Sequence, residues 1–172
     1  MKVPLAGGDA AGNPTETLLS EVGLVLLKMF DTQEACVLRL VCREFVEAVG
    51  RQQWEDGETV IMGSIAAWRA CFPRARCANI NKRYRGRTAP VVDADFVHFE
   101  GLRELNMSGC TDFTDAAFAH LRGIHTLDMS GCDQPTVTEA AFANLAGIKQ
   151  LTCSASAVAA AVALGLPATS DE

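Results

Sequence analysis

LNMSGCTDFTDAAFAHL at 105–121 returns as LDMSGCDQPTVTEAAFANL at 127–145, the second copy two residues longer between Cys and Phe. Leu105 and Leu127 are 22 residues apart, and Leu127 and Leu151 are 24 apart, where IKQLTCSAS opens a third copy. Apolar residues fall at Leu102, Leu105, Met107 and Cys110, and again at Ile124, Leu127, Met129 and Cys132. The step of two marks a strand, with Leu105, Met107, Leu127 and Met129 facing a core and Asn106 and Asp128 facing out. Thr114-Asp115 and Thr138-Glu139 stand just ahead of AAFAHL and AAFANL, a polar cap before a helix start. Each copy therefore reads as strand, turn, helix.

A repeat period between 20 and 29 belongs to leucine-rich repeats. One such unit cannot bury enough apolar surface to offset its ordering entropy, so neighbours must stack and share an interior. Backwards, VDADFVHFEGL at 92–102 aligns with TDAAFAHLRGI at 114–124. Further back, Phe72, Ala75, Cys77 and Ile80 show the spacing of Leu102, Leu105, Met107 and Cys110, with NKRYRGRT inserted behind them. An earlier strand at ETVIMG (58–63), followed by SIAAWRAC, would open the stack. At the other end AVAAAVALGLPATSDE reads as a small Ala-rich helix over the last repeat, stopped by Pro167.

The net charge of -6 and sequence pI near 5.1 argue against general nucleic-acid binding. The Gly- and Pro-containing start MKVPLAGGDAAGNPTET does not read as a signal peptide, and no apolar run is long enough to span a bilayer. Seven cysteines without a CxxC pair suit reduced thiols. Cys110 and Cys132, equivalent in the repeat, read as small buried hydrophobes before they read as metal ligands. His98 and His120 share a repeat position with Asn144, and His125 has no partner spacing that suggests a triad or metal site. With no GxSxG, HExxH, P-loop or GxGxxG string, neither an enzyme nor a cofactor or metal requirement is expected.

Residues 18–49 differ in composition. Leu18, Val22, Leu26 and Phe30 keep helical spacing, Asp31 and Glu34 form a capping-box pattern, and Leu38, Val41 and Phe45 continue a helical face. The first helix carries more apolar residues than one buried stripe can use, which points to a second interface. The alternative is a helical cap on a stand-alone repeat scaffold.

Leu19 and Glu21, the apolar helix ending at Phe30-Asp31, then Leu38, Leu40, Val41, Cys42, Arg43 and Phe45 resemble an F-box, with Trp54 placed like the Trp that often follows it. Ser20 and Ala35 stand where that family usually has Pro and Leu. Together with the Cys-containing repeats, the chain resembles the F-box and leucine-rich-repeat proteins. That resemblance implies an α/β fold: a short leucine-rich-repeat solenoid of parallel strands and short helices behind a small three-helix F-box-like domain. It places a tail at 1–17, the F-box-like domain at 18–50, a connecting strand and helix at 51–71, and the repeats with their cap at 72–172. The repeats are shorter than the family's usual length, which implies a reduced helix. The implied role is target recognition in a cullin-type (SCF) ubiquitin ligase in the cytoplasm or nucleus of a eukaryotic cell, or of the host of a virus or bacterium. Leu19, Ser20, Val22, Leu26, Leu38, Val41, Cys42 and Phe45 would lie at the Skp-type adaptor contact.

Target contact is expected from the polar positions of the strand face: Arg74 and Arg76, Glu104 and Asn106, Thr126 and Asp128, Gln150 and Thr152. The basic run NKRYRGR at 81–87 reads first as a solvated loop, although an acidic or phosphorylated partner could dock there.

Overall fold

The computed structural model describes residues 25–82 and 90–170. The tail at 1–17, Leu19, Ser20, Val22 and most of the basic run lie outside the described residues. The rest is a mixed α/β arrangement around one five-stranded parallel sheet.

The strands follow chain order: β1 (Cys77–Asn79), β2 (Glu104–Asn106), β3 (Thr126–Asp128), β4 (Gln150–Cys153) and β5 (Ala168–Ser170). Leu105, Leu127 and Leu151 stand side by side in register, as the copy spacing requires. All three are at most 2 % exposed. Cys110 and Cys132 are buried too, and each thiol donates to a carbonyl one rung back: Cys110 Sγ to Ile80 O at 3.5 Å, Cys132 Sγ to Met107 O at 3.3 Å. The thiol thus fills space and joins adjacent rungs.

Between strands the chain returns through short helical segments. Asp93–Phe99 and Asp115–Leu121 are 3₁₀ turns, whereas the copy with two extra residues forms a short α-helix, α4 (Glu139–Phe142). A 3₁₀ turn rises about 2.0 Å per residue against about 1.5 Å for an α-helix, so a short return covers more distance that way. Thr114 and Thr138 cap these segments as expected, accepting from Ala116 N and Ala140 N. Each segment leaves through a glycine in the left-handed region, Gly101, Gly123 and Gly147, with φ of +77°, +83° and +86°. A side chain there would meet open space, so the backbone conformation rather than crowding demands glycine.

Three features depart from the sequence reading. First, β1 pairs through Ala78 with Leu105 and Asn79 with Asn106, three residues beyond the register read from Phe72 and Ala75. Second, ETVIMG contributes a single parallel bridge, Val60 to Asn79, rather than a strand. Third, the Ala-rich helix α5 (Ala155–Ala163) is followed by the additional strand β5: the helix is stopped not by Pro167 but by Gly165, in the left-handed region with φ of +75°, and Pro167 O then accepts from Leu151 N of β4 at 3.2 Å.

The helices α1 (Thr32–Leu38), α2 (Arg43–Arg51) and α3 (Ile65–Cys71) precede the sheet. Leu27, Ala35 and Val49 are fully buried and join the core that runs on through the sheet to Ala161. Trp54 locks the junction: its indole Nε1 donates to Val49 O at 2.9 Å, and its ring meets Phe72 edge-on at 5.3 Å. Asp56 adds a polar clamp, accepting from Thr32 N and Oγ1 at 2.8 Å each and from Thr59 N at 3.0 Å. Burial alone would raise the Asp56 carboxyl, but the hydrogen bonds from Thr32 and Thr59 outweigh it and hold the group below its ordinary value.

Candidate partner-binding surfaces

The helical region has an inward and an outward side. The capping box is present: Glu34 N donates to Asp31 Oδ1 at 2.7 Å and Asp31 N to Glu34 Oε2 at 3.1 Å. It starts α1 at a fixed place and brings Ala35 inward. Outward stand Val25, Leu26, Met29, Val37, Leu40 and Val41, with Leu40 86 % and Met29 79 % exposed. Of the residues singled out in the sequence, Leu26, Val41 and Cys42 are exposed and Leu38 and Phe45 half-buried. Leu38, Val41 and Phe45 do not share one helix. Cys42, with φ of -159° and ψ of 168°, breaks the chain into α1 and α2. The turn at 39–42 thrusts Leu40 and Val41 into solvent. Two open depressions flank α1, of about 860 Å³ between residues 27–31 and 52–59 and about 330 Å³ over Cys36, Ile61, Trp68 and Cys71.

The strand face carries two rows. One comprises Cys77, Glu104, Thr126 and Gln150, the other Asn79, Asn106, Asp128, Thr152 and Thr169. Arg74 and Arg76 therefore leave the expected ladder, displaced by the shifted register of β1. Arg74 Nη1 instead donates to Arg51 O at 2.9 Å, at the end of α2, and Arg76 sits just before β1. Glu104 and Gln150 are exposed, and Asn106, Thr126, Asp128 and Thr152 half-buried.

The second row is partly occupied by its own turns. Asn79 Oδ1 accepts from Asn81 N at 3.0 Å, Asn106 Oδ1 from Ser108 N at 3.1 Å, and Asp128 Oδ1 from Ser130 N at 3.0 Å. Ser108 and Ser130 also give their hydroxyls to the same oxygens. These side chains close the turn after each strand, which is a structural task in addition to any contact with a partner.

On the opposite side a polar spine, not foreseen from the sequence, crosses the copies. Thr114 N and Oγ1 donate to Asp93 at 2.7 and 2.8 Å, and Thr138 N and Oγ1 to Asp115 at 2.7 and 2.6 Å. The position shared by His98, His120 and Asn144 has a similar linking role: His120 Nδ1 lies 2.7 Å from Glu100 Oε1, and Arg122 donates to Asn144 Oδ1. Recurrence of Asp93 and Asp115 at a spacing of 22 was the available signal.

Burial first, and then the charge of Glu104, pushes the Cys77 thiol up to about 12; burial and Cys110 do the same for Cys132. Cys36 is also raised, by burial and then by neighbouring Cys71, whose thiol contacts the Arg39 guanidinium. Lys82 of the basic run pairs with Asp112 at 2.9 Å, while Arg83, Tyr84, Arg85 and Arg87 lie outside the described residues. Among the described residues, no helix is long and apolar enough to cross a membrane, and no group of three or more His, Cys, Asp or Glu could hold a metal ion.

No protein-family model, curated protein or solved structure matches this chain.

Proposed function

We propose that this chain is the target-recognition subunit of a cullin-type ubiquitin ligase, its F-box-like helices holding a Skp-type adaptor and its short leucine-rich-repeat solenoid holding a protein target. The observation that carries this reading is the outward apolar face at 25–41, above all Leu40 and Val41, 86 % and 66 % exposed on a turn that the capping box and the break at Cys42 fix in place. A helical cap serving only to shield the sheet would turn such residues inward, as Leu27, Ala35 and Val49 are turned. Ala35, where the resembled family usually has Leu, is fully buried, so this departure falls on the inward side and leaves the outward face intact. Burying a Leu and a Val against a partner is worth roughly 2–4 kcal/mol, enough to dominate a modest interface.

Titration calorimetry of the folded full chain with a purified Skp-type adaptor tests this. Saturable binding at micromolar concentration is expected, weakened at least tenfold by Leu40→Asp with Val41→Asp, substitutions on exposed residues that leave the fold intact. Absence of binding by protein that is folded by circular dichroism overturns the reading in favour of a stand-alone protein-binding scaffold.

A further inference from the structure

The corrected register of β1 brings four basic residues into one line. Arg76, Arg103, His125 and Lys149 each precede a strand by one position, and their carbonyls and amides interlock: Arg76 O accepts from Arg103 N at 2.7 Å and Glu104 N at 3.2 Å. Arg103 O likewise accepts from His125 N and Thr126 N, at 2.8 and 2.9 Å, and His125 O from Lys149 N and Gln150 N, at 2.8 and 3.0 Å. Each rung is held by two backbone bonds, so the row is fixed whatever its side chains do. The chain has 15 Lys and Arg and 3 His among 172 residues, against 21 Asp and Glu, so basic residues at the same place on four successive rungs are not what composition supplies.

The side chains are available. Arg76, Arg103 and Lys149 are exposed and His125 half-buried. Arg103 Nε donates to His125 Nδ1 at 3.4 Å, and no ion pair joins Arg76, Arg103 or Lys149 to an acid among the described residues. Two carboxylates sit near one end, since Glu104 and Glu55 both act on Cys77. Towards β3 and β4 the adjoining positions are the neutral Thr126 and Gln150.

We infer that the row Arg76–Arg103–His125–Lys149 is a docking strip for an extended acidic peptide, a Glu- or Asp-rich segment of the protein target. This deepens the target-holding role proposed for the sheet. Spacing favours that occupant. Parallel strands lie about 4.8 Å apart, so four rungs span about 14 Å. Side chains on one face of an extended peptide recur about every 6.7 Å, so carboxylates at i, i+2 and i+4 span about 13 Å and cover the strip. The charges of Arg76, Arg103 and Lys149, all of one sign, select against neutral and basic segments, while His125, whose Nδ1 accepts from Arg103, adds its other ring nitrogen as a neutral donor.

The test is fluorescence anisotropy of the full chain, without adaptor, against a labelled peptide alternating Glu and Ser, its Lys-Ser counterpart, and a single-stranded oligonucleotide of equal charge. Saturable binding of the Glu peptide at about 50 mM salt is expected, weakening as salt rises. The triple variant Arg76→Ser, Arg103→Ser, Lys149→Ser should bind at least tenfold more weakly, whereas Arg43→Ser, at the exposed start of α2, should stay within twofold. No saturable binding, an unaffected triple variant, or an oligonucleotide bound as tightly as the peptide overturns the inference. A chain that binds adaptor but not this peptide counts against the strip alone.

Discussion

Asp128 separates structural work from partner contact most sharply. Its Oδ1 accepts from Ser130 N at 3.0 Å and from Ser130 Oγ at 2.6 Å, and Ser130 is only 5 % exposed. Asp128→Ala removes both bonds and leaves a buried hydroxyl and amide without their acceptor, a loss of about 1–3 kcal/mol. For a chain of this size each kcal/mol lowers Tm by about 2–4 °C, so a drop of roughly 2–12 °C is expected. Asp128→Asn keeps the acceptor oxygen, and Asn106 shows that arrangement one rung earlier, with bonds of 3.1 and 2.9 Å. The Asn variant should therefore melt close to wild type. Thermal melts followed by far-UV circular dichroism, with urea titrations to check that m is unchanged, decide the matter. Ala and wild type melting together would show that the turn bonds contribute nothing; Asn as damaging as Ala would show that the charge, not the acceptor, matters.

Further outcomes follow from the same packing. Leu127→Ala or Phe118→Ala, both at fully buried positions, should lose about 2–5 kcal/mol in urea denaturation. Asp115→Ala breaks the spine to Thr138 and should lose about 1–3 kcal/mol, while Thr138, still capping Ala140, keeps the following helix in far-UV spectra. Cys77 and Cys132 stay protonated in the fold to about 12, whereas an unfolded thiol ionises near 9.0. Their contribution to stability is therefore complete below pH 9.0 and is lost as the pH climbs towards 12, which Tm measured across that range should show. At pH 8 a thiol reagent should modify exposed Cys36 and Cys42 well before buried Cys77, Cys110, Cys132 and Cys153.

The copies at 105 and 127 were legible because a period-two apolar pattern and a fixed spacing constrain both face and register. The first rung was not, for a definable reason. An apolar pattern at i, i+3, i+5 and i+8 overlaps itself when shifted by three, so Ala75 and Ile80 fit the frame starting at Phe72 and the frame observed. What resolves the frames is polar: Asn79-Ile80-Asn81 matches Asn106-Met107-Ser108 and Asp128-Met129-Ser130, the turn that needs a side-chain acceptor. In the helical region the capping box was readable from Asp31 and Glu34, because both partners lie within one turn. The break at Cys42 was not, since Leu38, Val41 and Phe45 keep helical spacing across it. The basic row depends on pairing between distant rungs and appears only when the register is known.

Native-state hydrogen exchange tests most directly whether copies too weak to fold singly share one interior. Ile80 N, Met107 N and Met129 N each donate across a rung, to Asn106 O, Asp128 O and Thr152 O, all at 2.8 Å. If the rungs form one cooperative unit, these three amides open with the same free energy within about 1 kcal/mol, and Leu127→Ala lowers all three together. Three unrelated opening free energies, or loss of protection at Met129 alone in that variant, would contradict the account.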